Sequence, residues 1–356
     1  MRENNIPPLM PALVWEAPRQ MMLRQQPVPT PLADEVLVRV AYAGICGSEL
    51  SGYLGHNALR VPPLVMGHEF SGVIVAAGSQ AAQEYPQLRE GTPVTANPLS
   101  YCGECAYCQR GLNQLCIQRK LIGAHRPGAF AGYLSLPAKQ IVPLPAGLGQ
   151  AAAALSEPVA CAVRIVEQTG LSTDETLDET ILVVGAGTIG LFTLQVLQLQ
   201  GAQRVFISEV NPERRAAAAK LGGEALDPQA VDVVKVIRDA TSGYGAAAAV
   251  DAVGMASTRA QCIAACRSTG TVILSGLHEE TGSLPSAEII RREITLRGSF
   301  AYSPQNFNRA VELLAQNAVR LDEWTVQAPL AEGGDWFDRL VTGSGIAKVL
   351  LTPPTS

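Results

Sequence analysis

The pattern of apolar and polar positions changes character about halfway along the chain. From about Ala12 to Leu144 the apolar residues fall in short runs broken by Gly and Pro, and Glu35–Ala43 (EVLVRVAYA), Ser71–Ala76 and Thr92–Ala96 are predicted strands. Short strands at close turn spacing predict an irregular β-rich domain. After Glu157 strand and helix patterns alternate. Thr180–Val184, Arg204–Ser208, Ala246–Ala252, Thr271–Leu274 and Ile294–Arg297 read as strands. Ile189–Leu199 and Pro212–Leu221 read as helices, the second with Pro in its first turn. Such alternation predicts a doubly wound α/β domain, a parallel sheet with helices on both faces. The last stretch, Phe307–Leu351, returns to a helix (Asn308–Asn317) before a closing strand, Lys348–Thr352. No fixed-period repeat is visible.

Composition narrows the class. A chain of 356 residues exceeds what one core usually holds, so two domains are expected. With 47% hydrophobic and 17% charged residues it reads as an ordered globular protein. A net charge of −5 argues against a nucleic-acid partner. Met1–Arg19, with Pro7, Pro8, Pro11 and Glu16, lacks the apolar run of a secretory signal. Thr180–Gln203 is 24 residues without a charge, long enough for a membrane span. It contains Gly185, Gly187, Gly190 and Gly201, however, and reads as a buried strand turning into a buried helix. No membrane partner and a cytoplasmic location are expected.

Four of the eight cysteines lie in Tyr101–Cys116 (YCGECAYCQRGLNQLC), a C-x2-C-x2-C-x7-C spacing. Thiolates two residues apart on tight turns can share one tetrahedral metal, and Gly103 and Gly111 supply the turns. Cys102, Cys105, Cys108 and Cys116 are therefore candidate ligands of a closed, structural zinc, with an iron–sulfur cluster as the competing reading.

Val183–Gly190 (VVGAGTIG) carries a G-x-G-x-x-G pattern between a predicted strand and a predicted helix. Gly185 would make the tight turn, Gly187 would admit a pyrophosphate to the backbone, and Gly190 would let helix and sheet pack. Thr188 and Ile189 open the helix whose N-terminus would face the phosphates. Glu209, at the end of the next strand, is placed to bind both ribose hydroxyls of NAD and to repel the extra phosphate of NADP. Arg214 and Arg215 follow closely and are expected on the helix surface.

Gly44–Glu49 (GICGSE), Gly67–Phe70 (GHEF) and Leu155–Pro158 (LSEP) hold Cys46, His68, Glu69 and Glu157, all residue types that ligate zinc. Spacing alone does not bring them together. In order and spacing, these segments, the four-cysteine loop and the G-x-G-x-x-G pattern resemble the zinc-dependent medium-chain dehydrogenases, over roughly Pro11–Thr352. Glu157-Pro158, GHEFSG and Leu121–Tyr133 resemble the polyol branch, which includes sorbitol and galactitol-phosphate dehydrogenases.

The resemblance implies a GroES-like catalytic domain (1–158 and 299–356) and a Rossmann domain (159–298). It implies two zinc ions and NAD per chain, with Cys46, His68, Glu69 and Glu157 around the catalytic zinc. Ser48 would accept the alcohol proton, and Glu49 would orient His68 in place of the usual Asp. Ser51 stands where many relatives have a proton-relay His. Lys348 falls where a cation faces the cofactor pyrophosphate, and a solvated lysine is the competing reading.

The expected reaction is oxidation of a secondary alcohol of a polyol or sugar-alcohol phosphate to a ketone. A threonine-type amino alcohol, a cyclitol, or a non-catalytic cofactor-binding role are the alternatives. The resemblance also implies that the edge strand in Arg292–Phe300 pairs between copies, giving a homodimer or homotetramer. His125 and Arg126 are candidate anion partners, although a surface loop explains them equally. Cys161, Cys262 and Cys266 read as core thiols, the last two on one helix.

Overall fold

A computed structural model describes residues 6–171 and 180–354. Residues 1–5, 172–179 and 355–356, which the expected domain spans include, lie outside the described residues. The chain divides into two compact units, one of Met1–Glu157, Ser303–Asn317 and Leu321–Ser356, the other of Pro158–Tyr302 and Ala318–Arg320.

The first unit is built on an irregular sheet whose centre is the long strand Glu35–Gly44. It pairs antiparallel with Glu69–Ala77, with Tyr133–Pro137 and with the final strand Lys348–Thr352. Alternation in EVLVRV sends Val36, Val38 and Val40 into a core that also holds Phe70, Phe130, Phe337 and Val349. A separate hairpin, Leu9–Ala17 with Gln20–Pro27, and the helix Gly333–Thr342 complete elements that the residue pattern did not announce. The helix expected at Asn308–Asn317 spans Pro304–Ala315. It starts earlier because the Ser303 hydroxyl caps the Asn306 N–H and Pro304 fits the first turn.

The second unit is a six-stranded parallel sheet. From edge to edge its strands are Glu224–Leu226, Arg204–Ser208, Thr180–Val184, Ala246–Asp251, Cys266–Leu274 and Thr295–Gly298. In chain order this is third, second, first, fourth, fifth, sixth. The direction of winding reverses between Thr180–Val184 and Ala246–Asp251, which opens a crevice at their C-terminal ends. Thr180–Val184 is buried along its whole length, as a central parallel strand requires. The uncharged stretch from Thr180 resolves into this strand and the helix Thr188–Leu199. Among the described residues no helix is long and apolar enough to cross a membrane. Cys262 lies on the helix Ala256–Ala265, but Cys266 begins the next strand, so the two do not share a helix; both are fully buried. Cys161 is partly exposed rather than core.

Candidate active site

Cys46 is the residue before the helix Gly47–Tyr53, with an extended backbone that leaves its N–H outside the helix. Glu49, three positions on, reaches back and accepts that N–H at 3.0 Å through Oε2, the reciprocal half of a capping box. Its other oxygen accepts the Gly67 N–H at 2.9 Å and lies 2.7 Å from His68 Nδ1. One buried carboxylate thus positions both Cys46 and His68, the orienting role that outer-shell acids play at metal sites. Gly67 has φ +102°, and a side chain there would run into the backbone of Ala129 and Phe130.

The Cys46 sulfur, a His68 ring nitrogen and a Glu69 oxygen all lie within 4.8 Å of one another. Burial works to lower the His68 pKa, but the Glu49 charge and hydrogen bonds to Cys46 and Glu49 raise it well above 6.5. Burial likewise works to raise the Glu49 carboxyl, and the charge and hydrogen bond of His68, with the Arg60 charge, hold it below 4.5. With Nδ1 committed to Glu49, the remaining ring nitrogen faces Cys46 and can ligate once it gives up its proton. A thiolate, an imidazole and a carboxylate form the donor set of a catalytic zinc that keeps one position open. Glu157, partly buried in the first turn of the helix Ser156–Thr169, is not in this cluster. Its charge nevertheless helps raise the Lys348 pKa.

Lys348 corrects an expectation. Its ammonium donates to Glu69 Oε2 at 2.6 Å, to Glu69 Oε1 at 2.8 Å and to the Ile45 carbonyl at 3.0 Å. All three protons are in use and the residue is 2% exposed, so it is not a solvated lysine. It is the fixed counter-charge of Glu69. Gly44 makes room for this pair, since a Cβ there would run into Glu69 Oε2.

Ser48 Oγ lies 3.6 Å from Cys46 Sγ. It also accepts from Arg60 Nη2 at 3.2 Å, while Arg60 Nη1 donates to the Ser48 carbonyl at 3.0 Å. Arg60 carries no motif, and its neighbours Leu59 and Val61 are exposed, so the residue pattern did not mark it. Gly52, inside a helix, was the available signal.

The four cysteines form a second cluster with all sulfurs within 4.8 Å. Cys116 and Cys108 lie 3.5 and 3.9 Å from Cys102, against about 3.8 Å for four sulfurs around one tetrahedral zinc. Backbone N–H groups of Cys102, Cys105 and Gln118 donate to these sulfurs. The Cys108 N–H draws the Cys105 thiol down to about 6, while burial pushes Cys108 up to about 12. The spacing fits a structural zinc.

In the second unit Gly185 has φ +99°, the left-handed turn the motif needs. A Cβ on Gly190 would run into the Gly185 carbonyl, whereas a Cβ on Gly187 would meet nothing within 4 Å. Gly190 is therefore fixed by packing, and Gly187 leaves its face of the loop open to a ligand at the helix N-terminus, where Thr188 and Ile189 begin the first turn. Glu209 accepts the Ala186 N–H and the Asn211 N–H, each at 2.8 Å, and so ties the loop to the next strand. Arg215 donates to the carbonyls of Glu209 and Val210 and pairs with Asp227 at 2.8 Å. Arg126 pairs with Glu35 at 2.8 Å and the His125 ring accepts the Leu121 N–H, so these candidate anion partners have internal roles.

Residues 32–146 match the alcohol dehydrogenase GroES-like domain, and residues 188–316 match the zinc-binding dehydrogenase family. D-Arabitol-phosphate dehydrogenase of Enterococcus avium is 35% identical over 340 residues, 94% of this chain and 95% of its own. The chain belongs to the zinc-binding dehydrogenases. Sorbitol dehydrogenase of Halalkalibacterium halodurans is 32% identical, over 93% of this chain and 95% of its own. A zinc-binding dehydrogenase from Sinorhizobium meliloti 1021, solved bound to NADP, superposes with a TM-score of 0.88 at 32% identity, covering 97% of this chain and 99% of its own. This zinc-binding dehydrogenase is accordingly an oxidoreductase that combines a GroES-like unit with a Rossmann-type unit.

Proposed function

We propose that the enzyme reversibly oxidises a secondary alcohol of a polyol or sugar-alcohol phosphate to the ketone, with NAD as partner. The observation that carries this reading is the convergence of Cys46, His68 and Glu69, from distant parts of the sequence, on one metal-sized space. Cys46 and His68 would hold the catalytic zinc with one carboxylate, Glu69 of the same cluster or Glu157 alternating with it. When bound, zinc supplies the charge that favours loss of the alcohol proton, and NAD takes up the hydride. Ser48 takes that proton as its own hydroxyl proton passes to water. Cys102, Cys105, Cys108 and Cys116 hold a structural zinc. The Gly185–Gly190 loop, with Thr188 and Ile189, binds the cofactor phosphates, and Glu209 favours NAD over NADP.

The arabitol-phosphate and sorbitol enzymes among the relatives support the polyol class. Eight cysteines without a disulfide suit a cytoplasmic enzyme. The Thr295–Gly298 strand at the sheet edge supports pairing of two copies. The test is a turnover screen of sugar alcohols and their phosphates with NAD and NADP side by side. Absence of activity on every polyol, or full activity in Cys46→Ser, removes the reading.

A further inference from the structure

We propose that Arg60 is a positioning residue for the Ser48 hydroxyl, and that Gly52 exists to admit it. The inference rests on the reading of Ser48 as the proton acceptor. A buried guanidinium normally faces a carboxylate, because taking its charge out of water is costly unless it is paired. Arg60 is 4% exposed, yet its side-chain hydrogen bonds go to the Ser48 carbonyl and Ser48 Oγ. Its Nε is buried without a partner, and the acid whose ionisation its charge favours, Glu49, is already held by Cys46, Gly67 and His68. The arginine is therefore arranged around one residue, gripping its backbone and its hydroxyl at once.

That grip has a chemical consequence. A serine hydroxyl has one proton to give and two lone pairs to receive. Arg60 Nη2 occupies one lone pair at 3.2 Å, and at rest the hydroxyl proton points to Cys46 Sγ at 3.6 Å; in turnover that proton turns from the sulfur to water as the alcohol proton arrives. One lone pair is left, in a fixed direction beside the metal cluster. Arginine stays charged and cannot itself take the proton, so it orients the acceptor without competing with it.

Gly52 is the second half of the device. It lies within the seven-residue helix Gly47–Tyr53, where glycine weakens the helix relative to alanine. Its φ is not in the left-handed region, so the turn does not demand glycine. Space does: a Cβ at Gly52 would stand 2.7 Å from Arg60 Cδ and 3.6 Å from Arg60 Nε.

The experiment compares Arg60→Met, Arg60→Lys, Gly52→Ala, Ser48→Ala and Ser48→Ala/Arg60→Met in the zinc-loaded enzyme, using a polyol substrate it turns over. Arg60→Met is expected to lower kcat by about tenfold or more, a part of what a full acid–base group contributes, with KM for the alcohol within about twofold. Its solvent isotope effect on kcat rises, Arg60→Lys restores part of the rate, and Gly52→Ala shows a smaller loss of the same kind. In the Ser48→Ala background Arg60→Met adds no further loss. An equal loss in both backgrounds, or a change in KM alone, overturns the proposal while Ser48 keeps its role. Full turnover by Ser48→Ala overturns the role of Ser48 itself, and that of Arg60 with it. If Arg60→Met does not fold, Gly52→Ala and Arg60→Lys carry the same comparison: a kcat loss in either supports the proposal, and parental kcat in both overturns it.

Discussion

Lys348→Met tests whether the ammonium buried against Glu69 holds this region together. The ion pair is 2.6 Å long and its side chains are 2% and 1% exposed, so water cannot replace the lost partner. Removing one member of such a pair leaves a buried, unpaired charge at a cost of about 3–5 kcal/mol. At about 2–4 °C per kcal/mol for a unit of this size, the melting temperature should fall by about 6–20 °C. Adding Glu69→Gln removes the stranded charge and should recover at least half of the loss.

The pH dependence has a definite sign. Burial would lower the Lys348 pKa, but Glu69, Cys46 and Glu157 raise it above 10.5. A raised lysine stabilises the fold fully below 10.5 and loses that contribution as pH climbs through the folded value. Parent and Lys348→Met should therefore keep their separation across neutral pH and converge only in strong alkali. Scanning calorimetry on protein whose Cys46 cluster holds no zinc, so that Glu69 has no other counter-charge, reads both effects. A Lys348→Met melting point within about 2 °C of the parent would falsify the reasoning, since it implies a pair worth under about 1 kcal/mol.

Three further outcomes are expected. Cys102→Ser should release one zinc equivalent, seen by metal analysis, and lower the melting point, because a closed four-thiolate site contributes directly to folding. In metal-free protein the His68 pKa is raised, so zinc must displace that proton; affinity at the Cys46 cluster should climb with pH above 6.5, and a flat chelator-competition profile would contradict it. Gly190→Ala pushes a Cβ into the Gly185 carbonyl and should weaken NAD binding by at least about tenfold, while Gly187→Ala leaves the apo fold intact and weakens binding only when the cofactor is present; isothermal titration and melting curves separate the two.

The parallel unit was legible because each of its signals is local. Thr180–Val184, Arg204–Ser208 and the glycine loop are short contiguous patterns, and buried strands between turn signals leave little choice of partner. The four-cysteine cluster was legible for the same reason. The hairpin Gln20–Pro27 was not, since MMLRQQP is exposed at most positions and carries no alternation. The burial of Lys348 was not legible because its partner, Glu69, lies 279 residues away, and a lysine at a strand start gives no hint of what it pairs with. Arg60 was missed because burial inverted the usual rule, with the charged residue inside and Leu59 and Val61 outside.

The closing strand has a consequence for synthesis. Every strand of the parallel sheet is made in one continuous run, and the unit is complete once Ala318–Arg320 emerge. The other unit waits. Glu69 is polymerised 279 residues before the cation that neutralises it, about 14–56 s at ribosomal speeds of about 5–20 residues per second. During that interval Glu69 and the unpaired flank of Glu35–Gly44 are held open for the strand Lys348–Thr352, still to be made. A message truncated before Lys348 would yield a complete parallel-sheet unit and leave Glu69 permanently without its counter-charge.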